Sequence, residues 1–236
     1  LKFLISTEEK SRFQREEGLA PVIYIQTDCS TTNNRDSYVV ELAKYINVDS
    51  YGECLHNKDL PLHLRPPHHI DTMMGDELMN LVAKYKFMLA IENGVCYDYI
   101  TEKLWRPLIA GSVPIYIGSP TVSDWLPNNK SALLGLDFKS PKDLAQYLHT
   151  LNNNDDEYNS YLSHKLKSEV TNSRLIQTME EREWDMEWSE RGGYVENFAC
   201  FVCKKAHEPR TVAVATGEHY SCPVPESILS RAPNRS

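Results

Sequence analysis

Apolar residues in this chain gather into a few short unbroken runs, separated by segments of helical spacing. "PVIYIQT" (21–27), "FMLAI" (87–91) and "VPIYIG" (113–118) are continuous and bounded by polar or turn residues. Such runs predict strands covered on both faces. "VDSYG" (48–52) and "ALLGLD" (132–137) predict shorter strands. Between them, residues 35–46 place Val39, Leu42, Ala43 and Ile46 at helical spacing. Residues 71–84 and "TEKLWRPLIAG" (101–111) also predict helices. "SPKDLAQYLHTL" (140–151) is a helix with Ser140 as N-cap and Pro141 at the first helical position. Residues 1–17 read as a charged helix, 56–70 as a loop rich in Pro and His, and 154–206 as helical throughout. The last thirty residues predict extended or disordered chain.

Strands and helices alternate from 21 to 151. That order predicts an α/β domain: a Rossmann-like, doubly wound parallel sheet with a helical C-terminal extension over 152–206 and a tail over 207–236. Ligands bind such sheets at the carboxyl ends of the strands. "ENGVCYDYITEKLW" (92–105) lies at such an end, after "FMLAI".

Composition narrows the function. The 236 residues are 41% hydrophobic with four Trp, enough for a substantial core. Net charge is −8, from 33 acidic and 25 basic residues, which argues against a nucleic-acid partner. No run of about 18 apolar residues is present, so any membrane tether is expected outside these residues. "LKFLIS" is too short to serve as a signal peptide.

The six cysteines are Cys29, Cys54, Cys96, Cys200, Cys203 and Cys222. "CFVC" holds Cys200 and Cys203 at a spacing open to a disulfide, a redox pair or half a zinc site, with His207 and Cys222 as completing ligands. A stapling disulfide in an oxidising lumen is the leading expectation. No metal site is predicted. Two sequons, "NKS" at Asn129 and "NRS" at Asn234, suit the same compartment.

Candidate chemistry concentrates at two strand-to-helix junctions. Thr101 is a good N-cap, and Glu102 suits the helix dipole. Lys103 opposes that dipole unless an anion binds there, held by Lys103 and free backbone N–H groups. Arg35 opens the helix after the first strand, where its guanidinium is suited to phosphate oxygens. Two cations at neighbouring junctions suggest a diphosphate. Glu102 could then accept hydrogen bonds from sugar hydroxyls, with Asn93 and Tyr99 on phosphate or sugar. No glycine-rich dinucleotide fingerprint or P-loop occurs.

"YKFMLAIENGVCYDYITEKLWRPLIAGSVPIYIG" resembles the signature of the alpha-1,3-fucosyltransferases, glycosyltransferase family ten. "FKSPKDLAQYLHTL", "VDSYG" and the C-terminal CxxC also match, so the resemblance covers roughly residues 20–206. It implies the donor-binding half of a GT-B enzyme, using GDP-fucose with inversion and without an essential metal. Tyr99, Glu102, Lys103 and Asn93 match donor-contacting positions, and Arg35 matches an arginine at the first strand-to-helix junction. Ile91-Glu92-Asn93-Gly94 replaces the usual Phe-Glu-Asn-Ser, Cys96-Tyr97 replaces His-Pro, and Pro107 stands inside the helix. These departures resemble the divergent branch of the family. The acceptor is then a glycan hydroxyl in alpha-1,3 linkage, core N-glycan GlcNAc included, or a protein Ser/Thr hydroxyl. The resemblance further implies that residues 1–20 are a remnant or linker from an N-terminal acceptor domain, which carries the catalytic base. It implies the secretory lumen, Golgi or endoplasmic reticulum, with a type II membrane tether. A second class remains open: a non-catalytic nucleotide-sugar or glycan-binding module with the same fold.

Overall fold

"FMLAI" forms β3 (Phe87–Ile91), all five residues buried, and "VPIYI" forms β4 (Val113–Ile117), buried throughout. They pair in parallel from Phe87 opposite Val113 to Ile91 opposite Ile117. This computed structural model describes residues 2–65, 72–181 and 194–208, with residues 214, 216 and 222. β1 (Val22–Tyr24) lies beside β3, β2 (Val48–Ser50) beside β1, and β5 (Leu133–Leu134) beside β4. The sheet order is β2-β1-β3-β4-β5, parallel throughout. The predicted doubly wound α/β sheet is thus present.

The pleat sends alternate side chains to opposite faces. Phe87, Leu89 and Ile91 join a core with α2 (Arg35–Leu42), α5 (Pro141–Asn152) and α6 (Asp155–Ser160). Met88 packs on the other face against α3 (Asp76–Ala83), and Ala90 against α4 (Glu102–Ala110). Two-sided burial is why these strands read as unbroken apolar runs. α4 continues through Pro107 and ends at Gly111 in the left-handed region, φ 79°. Ser140 caps α5 as predicted, accepting from the Asp143 N–H at 3.2 Å.

The segment expected as a linker over 1–20 contains α1 (Thr7–Glu16), which lies on the same unit. Thr7 donates to Asn159 Oδ1 on α6. Lys10 is fully buried and donates to the carbonyls of Ala83 and Tyr85, capping the last turn of α3. Burial, with Lys86 adding repulsion, drives its amine down to about 7. The unfolded chain holds that proton up to the ordinary 10.5, so between pH 7 and 10.5 it binds more protons than the folded chain. Stability therefore rises with pH across this window. From pH 7 to 9 the gain should be about 2 kcal/mol, and Lys10→Met should flatten it. Urea unfolding at both pH values checks this. A flat wild-type response would contradict a neutral Lys10.

Two expectations are corrected. Residues 154–206 are not one continuous helical stretch. After α6 come α7 (Ser163–Leu166), a non-helical passage over 167–172 with Ser168 at φ 56°, α8 (Ser173–Glu181), and later α9 (Tyr194–His207). The polar sequence "KSEVTN" has little apolar surface to hold a helix down on the sheet. The expected Cys200–Cys203 disulfide is also not formed. Both thiols are free and exposed, one turn apart on α9. The bridges are Cys29–Cys54 and Cys96–Cys222, at sequence separations of 25 and 126. Each joins segments that the fold brings together, whereas a pair one turn apart on a formed helix constrains little more than that turn. Apart from residues 207, 208, 214, 216 and 222, the expectation for the last thirty residues falls outside the described residues.

Candidate functional site

The chain leaves β1 toward β2 on one side, then crosses to β3 on the other. The carboxyl ends of β1 and β3 therefore form the point where the winding reverses, the usual place for a ligand crevice. A cavity of about 710 Å³ lies there, in the size range of small-molecule sites. Its walls come from residues 25–28 after β1, from Tyr51–Glu53 after β2, from Asn93 after β3, and from the first turns of α4. Gly52 permits this convergence. A Cβ there would lie 1.7 Å from the Gln26 carbonyl oxygen.

Arg35 is 1% exposed, and its guanidinium ties the two strand ends together. One terminal nitrogen donates to the Ile91 carbonyl at 3.1 Å and to Asn93 Oδ1 at 2.6 Å. The other donates to the Asp28 carbonyl at 2.7 Å. Its Nε is buried without a partner, as is the nearby Tyr24 hydroxyl. Arg35 is thus a strut beneath the cavity that also orients Asn93. Much of its donor capacity is spent on the protein itself.

Glu92 anchors the next loop. It is fully buried, with Oε1 accepting from the Thr101 N–H and Oε2 from the Thr101 hydroxyl, both at 2.8 Å. Burial pushes its carboxyl up from the ordinary range, while the Thr101 N–H, Lys103 and the Thr101 hydroxyl pull it down. Gly118 makes room for it, since a Cβ there would sit 2.6 Å from Glu92 Cγ. Thr101 caps α4 as predicted, accepting from the Lys103 N–H. Lys103 is 7% exposed; its ammonium donates to Thr101 Oγ1 at 3.1 Å and lies 3.5 Å from both Glu92 and Glu102. One turn on, Arg106 is 4% exposed and donates through Nε to the Met73 carbonyl at 2.9 Å. Burial lowers its pKa, and Glu102 at 4.0 Å opposes that.

Charge is layered. The floor carries the buried cations Arg35, Lys103 and Arg106 against Glu92 and Glu102, which leaves one net positive charge. The rim is acidic, with Asp28, Glu53 and Asp59 exposed. Asp59 pairs with Arg65 at 3.0 Å. A positive floor in poorly solvated surroundings favours an anion, because Coulomb attraction is stronger there than in water. Acidic rim groups suit hydroxyl or N–H donors. Such a site can hold a ligand with clustered negative charge at one point and hydrogen-bond donors around it.

Of the predicted residues, Arg35, Asn93, Glu102 and Lys103 all line this cavity. Tyr99 does not; it is 37% exposed on the loop that follows Glu92. That loop is fastened at Asp98, whose N–H donates to Ser119 Oγ at 2.9 Å and whose carboxylate accepts from the Thr121 hydroxyl at 2.7 Å. It is fastened again by Cys96–Cys222, while Cys29–Cys54 joins the loops after β1 and β2 at the rim. Sequence reasoning missed Arg106 and the buried anchoring role of Glu92. Arg106 lies four residues after Glu102 and three after Lys103, a spacing that sets all three on one helix face. Among the described residues, the group closest to metal-ligand geometry is Cys29, Asp36 and Cys54. Its two sulfurs are bonded to each other, so it offers no thiolate. A second groove of about 1000 Å³ runs along the outer face of α4, lined by Trp105, Trp125 and Met179; its cations, Lys165 and Arg174, are not buried.

The family model described as glycosyltransferase family 10 (fucosyltransferase), C-terminal part, matches residues 16–217. A protein from Gallus gallus named GDP-fucose protein O-fucosyltransferase 3 is 45% identical over 246 residues, covering 100% of this chain and 50% of its own length. Its namesake from Homo sapiens is 43% identical, again covering 100% of this chain and 50% of that one. The chain thus spans about half the length of the curated relatives it matches. A crystal structure of an alpha1,3-fucosyltransferase with GDP-fucose superposes with a TM-score of 0.51 at 18% identity, over 76% of this chain and 54% of that one. At that identity the likeness concerns the fold.

Proposed function

The chain belongs to glycosyltransferase family 10, the fucosyltransferases, and from that premise we propose that its sheet unit binds GDP-fucose in the cavity between the ends of β1 and β3, as part of an enzyme that transfers fucose to a protein hydroxyl. The observation that carries the reading is the layered charge: buried Lys103 and Arg106 beneath an acidic rim, at the reversal point of the sheet. The diphosphate sits on the cationic floor. Guanine and sugar donors face the carboxylates.

The reaction is an inverting displacement. The acceptor oxygen attacks fucose C1 and loses its proton to a base, and the C1–O bond to GDP breaks with its electron pair. Negative charge grows on the departing diphosphate. Lys103 and Arg106, together with the positive dipole end of α4, stabilise it. Arg35 serves by holding the two strand ends and Asn93 at fixed distance. Glu102 holds Lys103 and Arg106 and is placed to accept from sugar hydroxyls. Tyr99 acts from the loop above, outside the cavity lining. The relatives' names favour a protein Ser/Thr hydroxyl over a glycan as acceptor, and with it a lumenal, secretory setting for the full-length protein.

Lys103→Ala and Arg106→Ala should each weaken GDP-fucose binding by about 1.5–3 kcal/mol, the worth of a hydrogen bond to a charged group. Calorimetric titration measures this directly. Unchanged affinity in both variants would remove the floor from the account.

With cations already supplying the positive charge, no divalent metal is required on the diphosphate. EDTA should leave GDP affinity within twofold of its untreated value, on the order of 0.4 kcal/mol. Loss of binding in EDTA, restored by Mn²⁺ or Mg²⁺, would overturn the metal-free reading.

A further inference from the structure

We infer that Asn129 carries an N-linked glycan. The inference rests on the lumenal setting proposed above. The sequon Asn129-Lys130-Ser131 lies in a tight turn just before β5. The turn is closed by its flanking residues: Ser131 Oγ donates to the Asn128 carbonyl at 2.9 Å, and Asn128 Oδ1 accepts from the Lys130 N–H at 2.9 Å. Asn128 and Lys130 are also engaged beyond the turn. Asn128 Nδ2 donates to Ser163 Oγ and to the Glu169 carbonyl, at 3.1 Å and 3.0 Å. The Lys130 ammonium donates to Glu157 and Ser160, at 2.8 Å and 3.0 Å. Asn129 stands between them, exposed, and its side chain makes no hydrogen bond or ion pair among the described residues.

An asparagine amide that does nothing for the fold, at the apex of a turn and two residues before a serine, fits glycan attachment. The neighbouring Asn128 has Lys130 at the required hydroxyl position and is not a sequon. Two disulfides joining distant loops indicate an oxidising compartment, the same one in which attachment occurs. The position is also permissive. Leu133 pairs with Ile115, so the chain enters β5 from the amino edge of the sheet. The candidate cavity lies at the carboxyl edge of β1 and β3. A bulky, solvated glycan at Asn129 therefore projects away from the donor site.

The step balances with a co-substrate supplied by the lumen, a polyprenyl-diphosphate-linked oligosaccharide. Asn129 Nδ2 forms a bond to the anomeric carbon of the first N-acetylhexosamine. The bond from that carbon to the diphosphate oxygen breaks, and the diphosphate leaves with the electron pair. One amide proton passes to solvent.

The test uses protein secreted from eukaryotic cells, wild type beside Asn129→Gln. Peptide mapping after enzymatic deglycosylation in heavy-oxygen water reads occupancy at Asn129 separately from the second sequon at Asn234, which lies outside the described residues. The same digest, alkylated without reductant, reads Cys29–Cys54. The expected result is an isotope-marked aspartate at 129 in wild type, loss of one glycan in the variant, and equal GDP affinity in both. Bridged Cys29–Cys54 with an unmodified Asn129 would overturn the glycan site and leave the lumenal reading standing. Free Cys29 and Cys54 with an unmodified Asn129 would overturn both.

Discussion

Replacing Glu92 with alanine is expected to cost about 3–5 kcal/mol of folding stability, the usual penalty for removing one partner of a buried charged pair. The carboxylate is fully buried and closes the loop from 93 to 100 by accepting twice from Thr101. Alanine leaves the Thr101 N–H without its acceptor. It also leaves Lys103, itself 7% exposed, with only Glu102 as its acidic neighbour. Glutamine separates these effects. It retains an acceptor for Thr101 and removes the charge that burial disfavours. Its stability loss should be about 1 kcal/mol, on the scale of one ordinary hydrogen bond. Donor affinity should nevertheless fall in the glutamine variant, because Lys103 loses the carboxylate that fixes its position. Urea unfolding with a GDP titration on both variants distinguishes the two roles. An alanine variant as stable as wild type would contradict this anchoring role for Glu92.

Transfer should respond more strongly still to what stands opposite the cavity. The described residues build one parallel sheet, and the relatives they match are about twice as long. Of the four carboxylates on the cavity wall, Glu102 is shared with Lys103 and Arg106, and Asp59 with Arg65. Both are thus already engaged by cations of the wall. We propose that the base and the acceptor groove belong to a second domain facing this one. This 236-residue chain should then bind GDP-fucose normally but transfer fucose about 10²–10⁴-fold more slowly than a chain extended at its N-terminus to the relatives' length, the contribution of a positioned base. Lost acceptor positioning would slow it further. Single-turnover transfer by both chains, with donor affinity measured in each, is the comparison. Equal rates would place the base within these residues, with Asp28 and Glu53, the two wall carboxylates not shared with a cation, first in line. Intact binding with no transfer by either chain would favour the non-catalytic binding module.

Much of the fold was legible because its central strands are buried on both faces. "FMLAI" and "VPIYI" are too short for a buried helix, and their observed bounds match the apolar runs. Caps were legible for a local reason: Thr101 and Ser140 bond to N–H groups two or three residues away. The direction of a long side chain was not legible. Arg35 was placed correctly at a helix start, but its guanidinium turns inward to the Ile91 carbonyl at the end of β3, which only the tertiary fold supplies. Lys103 likewise folds back toward Glu92, eleven residues earlier in the chain. Cysteine pairing was illegible, since six cysteines allow 15 pairings if all are bridged. Cys96–Cys222 closes a separation of 126 residues that spacing gives no reason to prefer. The break over 167–172 was missed because polar residues continue a helical register as readily as they end it.

On the proposed reading, this sheet unit grips GDP-fucose at the reversal point between β1 and β3. Hydrogen exchange on the 236-residue chain, with and without saturating GDP-fucose, tests the location most directly. Slowed exchange is expected in residues 25–28, 51–56 and 101–106, with the groove lined by Trp105, Trp125 and Met179 unchanged beyond its shared helix α4. Protection confined to residues 122–127 and 173–181, or none at concentrations that saturate binding, would contradict it.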